Sequence, residues 1–176
     1  MKRSVRGASL VALAFVVAAS LFLATRHPVS DVASAPSPLL GRAAPPLAGG
    51  ELGGGRFSLA GERGRVVVVN FWSSWCGPCV AEAPELTTFA WRERHARVTL
   101  VGVVFNDSLG AAAAFARHYG SLYPSVVDAG GAIANRYGVI SPPTTFVIDR
   151  RGRVVATLLG PISAAQLQRV VAAVGP

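Results

Sequence analysis

Cys76 and Cys79 are the only cysteines in the 176-residue chain. They stand three apart in Phe71-Trp72-Ser73-Ser74-Trp75-Cys76-Gly77-Pro78-Cys79, just after the apolar run Val66 to Val69. Two thiols so spaced at a strand's end, where a helix can begin, suit the making and breaking of one disulfide. A helix starting near Cys76 turns its unpaired N–H groups and the positive end of its dipole toward that sulfur, which favours the thiolate. Cys76 is then the exposed nucleophile, and Cys79, one turn later, the resolving thiol. Two plainer uses compete. A structural staple across so short a loop constrains the unfolded chain by only about 2 kcal/mol, against about 4 to 5 for a long loop. Zinc requires two further Cys or His ligands at short spacing, and His27, His95 and His118 are scattered singly.

Positioning such a pair takes a rigid strand before it and a helix after it. Arg65 to Trp72 is a continuous apolar run rich in branched residues, as expected of a strand buried on both faces. A helix is expected from Cys76 to about His95, kinked at Pro84. Val98 to Phe105 reads as a second buried strand, and Asn106-Asp107-Ser108 as a cap for an alanine-rich helix from Leu109 to Tyr119. A short strand from Ser125 to Val127 and a helix from Ala132 to Tyr137, stopped by Gly138, follow. Thr144 to Asp149 and Val154 to Leu159 form a hairpin around Arg150-Arg151-Gly152-Arg153. An amphipathic helix from Ser163 to Val174 closes the chain. Crossover helices early and a hairpin late imply an α/β domain with a mixed sheet flanked by helices.

The front of the chain reads differently. Lys2, Arg3 and Arg6 precede nineteen uncharged residues, 7–25, followed by Arg26 and His27. A positive start before an apolar stretch is the pattern of an export signal. Its length favours an uncleaved membrane anchor over a clipped peptide, although Ala33-Ser34-Ala35 resembles a cleavage site. Residues 1–26 are thus expected to be an anchor or signal segment and 27–40 a Pro- and Ser-containing linker, with the folded domain over 41–176. This reading places the protein on the outer face of the cytoplasmic membrane, or secreted or periplasmic after cleavage.

The net charge of +8 is partly the anchor's own: without Lys2, Arg3, Arg6, Arg26 and Asp31, 13 arginines face 8 acids. Those arginines are spread along the chain. No basic helix with interleaved aromatics appears, so nucleic acid is not an expected partner.

Asn70-Phe71-Trp72, Trp75-Cys76-Gly77-Pro78-Cys79, Glu82, Pro84, Tyr137-Gly138-Val139 and Pro143-Thr144-Thr145-Phe146-Val147-Ile148-Asp149, in that order, resemble the thioredoxin superfamily. The likeness is narrower to its extracytoplasmic TlpA/ResA/CcmG-like thiol-disulfide oxidoreductases, over about residues 41 to 172. The resemblance implies a thioredoxin-like fold with an inserted helix, strand and helix, between Asp107 and Tyr137, before a cis-proline loop.

It also implies that Pro143 is that cis-proline, facing the cysteine pair, and that Glu82 manages protons for the thiols. In apolar surroundings a carboxyl there would have its pKa raised. Trp75, Gly77, Pro78, Pro142 and Thr144 are the residues expected to meet a substrate. Pro142, having no N–H, would give a docked partner one hydrogen bond fewer. No metal or organic cofactor is needed. The expected partners are protein thiols and disulfides, with a membrane electron donor of the CcdA/DsbD type if the enzyme is a reductant.

Gly77-Pro78 is the dipeptide of thioredoxin, whose potential is about −270 mV, and this favours reduction. The resemblance points to apocytochrome c before haem attachment, or another exported protein. The alternatives are an oxidase or isomerase of secreted-protein disulfides and a copper-binding thioredoxin-like protein. A thiol peroxidase would require a Thr-x-x-Cys arrangement, which the chain lacks.

Overall fold

The computed structural model describes residues 35–121 and 123–174. The chain runs β1 (Ala48–Gly50), β2 (Arg56–Ser58), β3 (Val66–Trp72), α1 (Gly77–Glu93), β4 (Val98–Val104), α2 (Leu109–His118), β5 (Ser125–Val127), α3 (Ala132–Tyr137), β6 (Thr144–Ile148), β7 (Val154–Leu159) and α4 (Ala164–Ala173). Five strands form one mixed sheet in the order β5-β4-β3-β6-β7. β3, β4 and β5 are parallel neighbours, while β6 is antiparallel to β3 and β7. α2, β5 and α3 lie between β4 and the proline loop, where the inserted segment was expected.

β3 is central, and all seven of its residues are buried. Its period of two divides the core into two layers. Val67, Val69 and Phe71 pack on one face with Leu47, Phe57, Ile133 and Tyr137. Val66 and Val68 pack on the other with Leu86 and Phe89 of α1 and Leu167 of α4. Burying a side chain such as Phe89 contributes about 1.5–3 kcal/mol. α1 continues unbroken through Pro84. Gly138 ends α3 at φ 67°, a left-handed geometry that costs glycine little.

The ribbon β1-β2 was not expected. Ala48-Gly49-Gly50 has no branched or aromatic residue to mark a strand. It forms because it docks on the sheet's edge, where Leu52 N–H donates to Ser125 O at 2.9 Å and Glu51 bridges to Val126. A Cβ on Gly49 would stand 2.7 Å from Val126 Cγ1, so the approach depends on glycine. At the opposite edge the stretch expected to be linker is, from Ala35 on, laid against β7: Ala35 N–H donates to Thr157 O at 2.7 Å and Gly41 N–H to Val154 O at 2.8 Å. Both edges are thereby covered.

One expectation is corrected. Among the described residues no helix is long and apolar enough to cross a membrane. The segment 7–25, on which placement at the outer face of the membrane rested, lies outside the described residues.

Gly102 on β4 is the tightest point in the sheet. A Cβ there would meet Ser125 Oγ and Trp72 Nε1, both at 2.5 Å, and Trp72 Cδ1 at 3.1 Å. Gly102→Ala is expected to cost about 1–3 kcal/mol by overpacking, read as a lower denaturant midpoint at an unchanged slope.

Candidate active site

β3 ends at Trp72 and α1 begins at Gly77, so residues 73–76 must turn the chain from sheet into helix. Cys76 is the N-cap, with extended backbone, and its sulfur accepts the backbone N–H of Cys79 at 3.2 Å. Pro78 occupies the first turn, where a helix has no use for its N–H. Cys76 and Cys79 are joined as a disulfide, Cα atoms 5.2 Å apart. Once reduced, a sulfur at this position gains as a thiolate from the same N–H and from the helix dipole.

Cys76, expected to be exposed, is buried in this oxidised form, at 4 % exposure, as is Cys79 at 2 %. Trp72, Val104 and Ala112 cluster with the pair, and sulfur 76 is turned onto the amide of Cys79. The surface of the motif belongs instead to Trp75, 58 % exposed, and to Gly77 and Pro78.

The turn is laced to the loop after β4. Phe105 N–H donates to Trp72 O at 2.8 Å, and the buried Ser73 hydroxyl donates to Phe105 O. Ser74 N–H donates to Asp107 Oδ2 at 2.6 Å, and the Trp75 indole N–H to Asn106 O at 2.9 Å. Asn106 takes φ 44°, a left-handed conformation that asparagine tolerates better than most residues. Parallel pairing of β3 with β4 brings the two loops to the same end of the sheet. The expected cap is thus divided in two: Ser108 caps α2 through Ala111 N–H at 3.2 Å, while Asp107 clamps the cysteine turn.

Glu82 lies one turn beyond Cys79 on the buried face of α1 and is 1 % exposed. Asn70 Nδ2 donates to its Oε2 at 3.2 Å and to Thr145 Oγ1 at 3.0 Å, and Ile162 N–H donates to its Oε1 at 3.2 Å. Burial lifts the Glu82 pKa from 4.5 to about 7, while the Asn70 amide and Ile162 N–H pull the other way. A carboxyl so placed holds and releases a proton at neutral pH. Glu85, on the same helix, is exposed and accepts Ala164 N–H at 2.8 Å, so both glutamates hold the start of α4.

Phe71 pairs with Thr144 across β3 and β6, which puts the preceding loop at the cysteine end of the sheet. The Pro142–Pro143 bond is cis. Pro143 is buried and Pro142 half-buried, and Pro143 O accepts Gly160 N–H at 3.0 Å. Thr144 does not present its side chain to a partner as expected. It is buried, and its hydroxyl donates to Ser141 O at 2.8 Å, holding the proline loop from within. On that loop Ile140 is 92 % exposed, an apolar side chain the sequence reading did not single out. Among the described residues no group of three or more His, Cys, Asp or Glu is placed to hold a metal ion.

The model of the AhpC/TSA family matches residues 40–157. The chain belongs to that family.

The DsbE homologue of Paracoccus denitrificans, named a thiol:disulfide interchange protein, is 39 % identical over 136 residues, covering 75 % of this chain and 73 % of that one. The thiol-disulfide oxidoreductase ResA of Bacillus thuringiensis subsp. konkukian is 30 % identical over 137 residues, covering 78 % and 79 %. Among solved structures, a thioredoxin-family thiol:disulfide interchange protein from Chlorobium tepidum superposes with TM-score 0.70 at 30 % identity, over 81 % of this chain and 100 % of that one. This AhpC/TSA-family protein is a thiol-disulfide oxidoreductase of the DsbE and ResA type with a thioredoxin-like fold.

Two residues at the site of this oxidoreductase have roles that the sequence alone does not announce. Asn70 was noted only as part of a motif, yet an asparagine inside an otherwise apolar strand must find polar company. It finds it in Glu82 and Thr145. Asp107 carries no such signal, because its partner Ser74 is 33 residues away. Asp107→Ala removes the acceptor of Ser74 N–H and of Ser108 N–H at 2.8 Å. We expect about 1–3 kcal/mol lower stability and, from the loosened turn, increased quenching of Trp75 fluorescence by a soluble quencher.

Proposed function

We propose that the protein reduces disulfides in exported proteins, with the cysteines of apocytochrome c before haem attachment as its substrate class. The observation that carries the reading is the buried Glu82, one turn beyond Cys79 on the same helix, whose carboxyl pKa burial lifts to about 7. The thiolate of Cys76 attacks one sulfur of the substrate disulfide, and the displaced substrate thiolate takes a proton. Cys79 gives its proton to the Glu82 carboxylate and attacks Cys76, which releases the second substrate thiolate. Two electrons pass to the substrate, one of its thiolates takes its proton from water and the other takes the Cys79 proton by way of Glu82, and the Cys76–Cys79 disulfide remains. A dithiol donor of the CcdA/DsbD type restores the thiols.

In this reading Trp75, Gly77, Pro78 and Ile140 are the surface a substrate meets, with Pro142 and Pro143 behind it, and the catalytic domain corresponds to residues 41–176. The resemblance to the TlpA/ResA/CcmG branch and the Gly77-Pro78 dipeptide support the reductive direction. The competing oxidase reading shares the same site and is separated by potential. Equilibration against glutathione is expected to give a value near −270 mV, whereas one above about −150 mV would replace the reductant with an oxidant. Trapping with Cys79→Ser should retain apocytochromes on Cys76. A varied set of secreted proteins in their place would overturn the substrate assignment.

A further inference from the structure

At the other end of β3 from the disulfide, about 17 Å along the strand from Val67 to Trp72, lies a cavity of about 230 Å³. It opens between the stretch 44–48, the turn 58–65 and the β6–β7 hairpin. Its apolar lining includes Leu47, Val67 and Ile148, all buried, together with Leu59. Three arginines, Arg63, Arg65 and Arg150, and two acids, Glu62 and Asp149, complete it.

Most of this polar equipment is already committed. Arg65 bonds to Glu62 at 3.2 Å, Thr99 Oγ1 at 2.8 Å, Ala96 O at 3.2 Å and Val98 O at 3.0 Å. Glu62 also accepts the Thr99 hydroxyl at 2.6 Å. Arg63 Nη1 donates to Arg151 O at 3.2 Å. Asp149 Oδ1 accepts the N–H groups of Arg151 at 2.9 Å and Arg153 at 2.8 Å. Arg150 is the exception: its Nε is buried and has no hydrogen-bond partner among the described residues. A guanidinium cannot shed its proton to relieve that loss, as a lysine could. A donor without a partner is costly, and the Arg150 guanidinium, which lines the cavity and makes no ion pair among the described residues, is uncommitted toward an acceptor held there.

We propose that this cavity binds a small organic acid, its carboxylate on the Arg150 guanidinium and its apolar tail over Leu47, Val67 and Ile148. The arginines exceed the acids of the lining by one charge, and the planar fork of Arg150 matches a carboxylate. The volume is below the roughly 300–1,000 Å³ usual for drug-sized ligands, which restricts the occupant to a short alkyl or single-ring acid. The site is remote from the disulfide and independent of the redox reading.

The test is a titration of the full chain, in its disulfide form, with octanoate, followed by backbone amide shifts in nuclear magnetic resonance. Saturable shifts at Ala44, Leu47, Leu59 and Arg150 are expected at about millimolar octanoate. Octanol, which keeps the tail and lacks the charge, and acetate, which keeps the charge and lacks the tail, should each bind at least tenfold more weakly. Arg150→Gln should weaken octanoate at least tenfold. Ala60→Trp, at the exposed rim of the cavity, should block octanoate by filling the mouth, with retained thiol exchange reporting that each variant is folded. Absence of saturable shifts, equal binding of octanol, or full octanoate binding by the two folded variants would overturn the proposal.

Discussion

Cys76→Ser is expected to lower turnover of a small aromatic disulfide by about 10³-fold or more, while Cys79→Ser still reacts once and then stops. The asymmetry follows from the start of the helix. Sulfur 76 sits at the N-cap, where it accepts Cys79 N–H at 3.2 Å and feels the positive end of α1. Its thiolate is therefore the better populated of the two. Sulfur 79 lies within the first turn and has no such cap. A serine hydroxyl at 76 stays protonated at neutral pH and cannot replace the thiolate. In Cys79→Ser the first attack proceeds, one equivalent of chromophoric thiol is released, and the mixed disulfide persists because nothing closes the ring behind it. Stopped-flow absorbance reads both amplitudes. A burst from Cys76→Ser and none from Cys79→Ser would reverse the two roles. Neither change should unfold the protein, since a loop this short contributes only about 2 kcal/mol.

The second large effect concerns Glu82. Folding raises its pKa from 4.5 to about 7 because the carboxylate must give up water inside the core. The consequence for stability has a definite sign. Below pH 4.5 the carboxyl is protonated in both the folded and unfolded chain and costs nothing. Between 4.5 and 7 the unfolded chain releases the proton while the folded one keeps it, so stability falls as pH rises. Above 7 the full penalty, about 3 kcal/mol, is present. Glu82→Gln removes the titration. It should match the wild type near pH 4 and be up to about 3 kcal/mol more stable near pH 8, by urea denaturation of the oxidised forms.

The glutamine retains an acceptor for Ile162 N–H, and its amide can face Asn70 Oδ1, a buried oxygen without a partner among the described residues. Activity should move the opposite way. With no group to carry the proton of Cys79, thiol exchange at neutral pH is expected to slow by about 100-fold, and the step near pH 7 in its rate profile should vanish. A stability difference that does not change with pH would sink the raised pKa. An unchanged rate profile would sink the proton role while leaving the burial intact.

Much of this molecule is written in local pattern. The branched apolar runs of β3 and β4, the turn at Arg150-Arg151-Gly152 and the glycine after Tyr137 each carry their own conformational preference, and each element formed within a residue or so of where it was expected. The redox pair was equally plain, because two thiols three apart at a helix start need no other part of the chain to explain them. The β1-β2 ribbon was invisible for the converse reason: Ala48-Gly49-Gly50 has no strand preference, and it pairs only because Val126 offers an edge that a glycine can approach.

The same division runs through the site. Spacing along the chain was enough to place Cys76 near a helix start and Glu82 one turn beyond Cys79, since both relations are local to α1. Burial of sulfur 76, the clamp of Asp107 on Ser74, the pairing of Asn70 with Glu82 and the isolation of Arg150 became known from the folded chain alone. Each is a contact between residues brought together by strand register and by helices closing over a sheet, and such contacts leave no periodic trace in the order of amino acids.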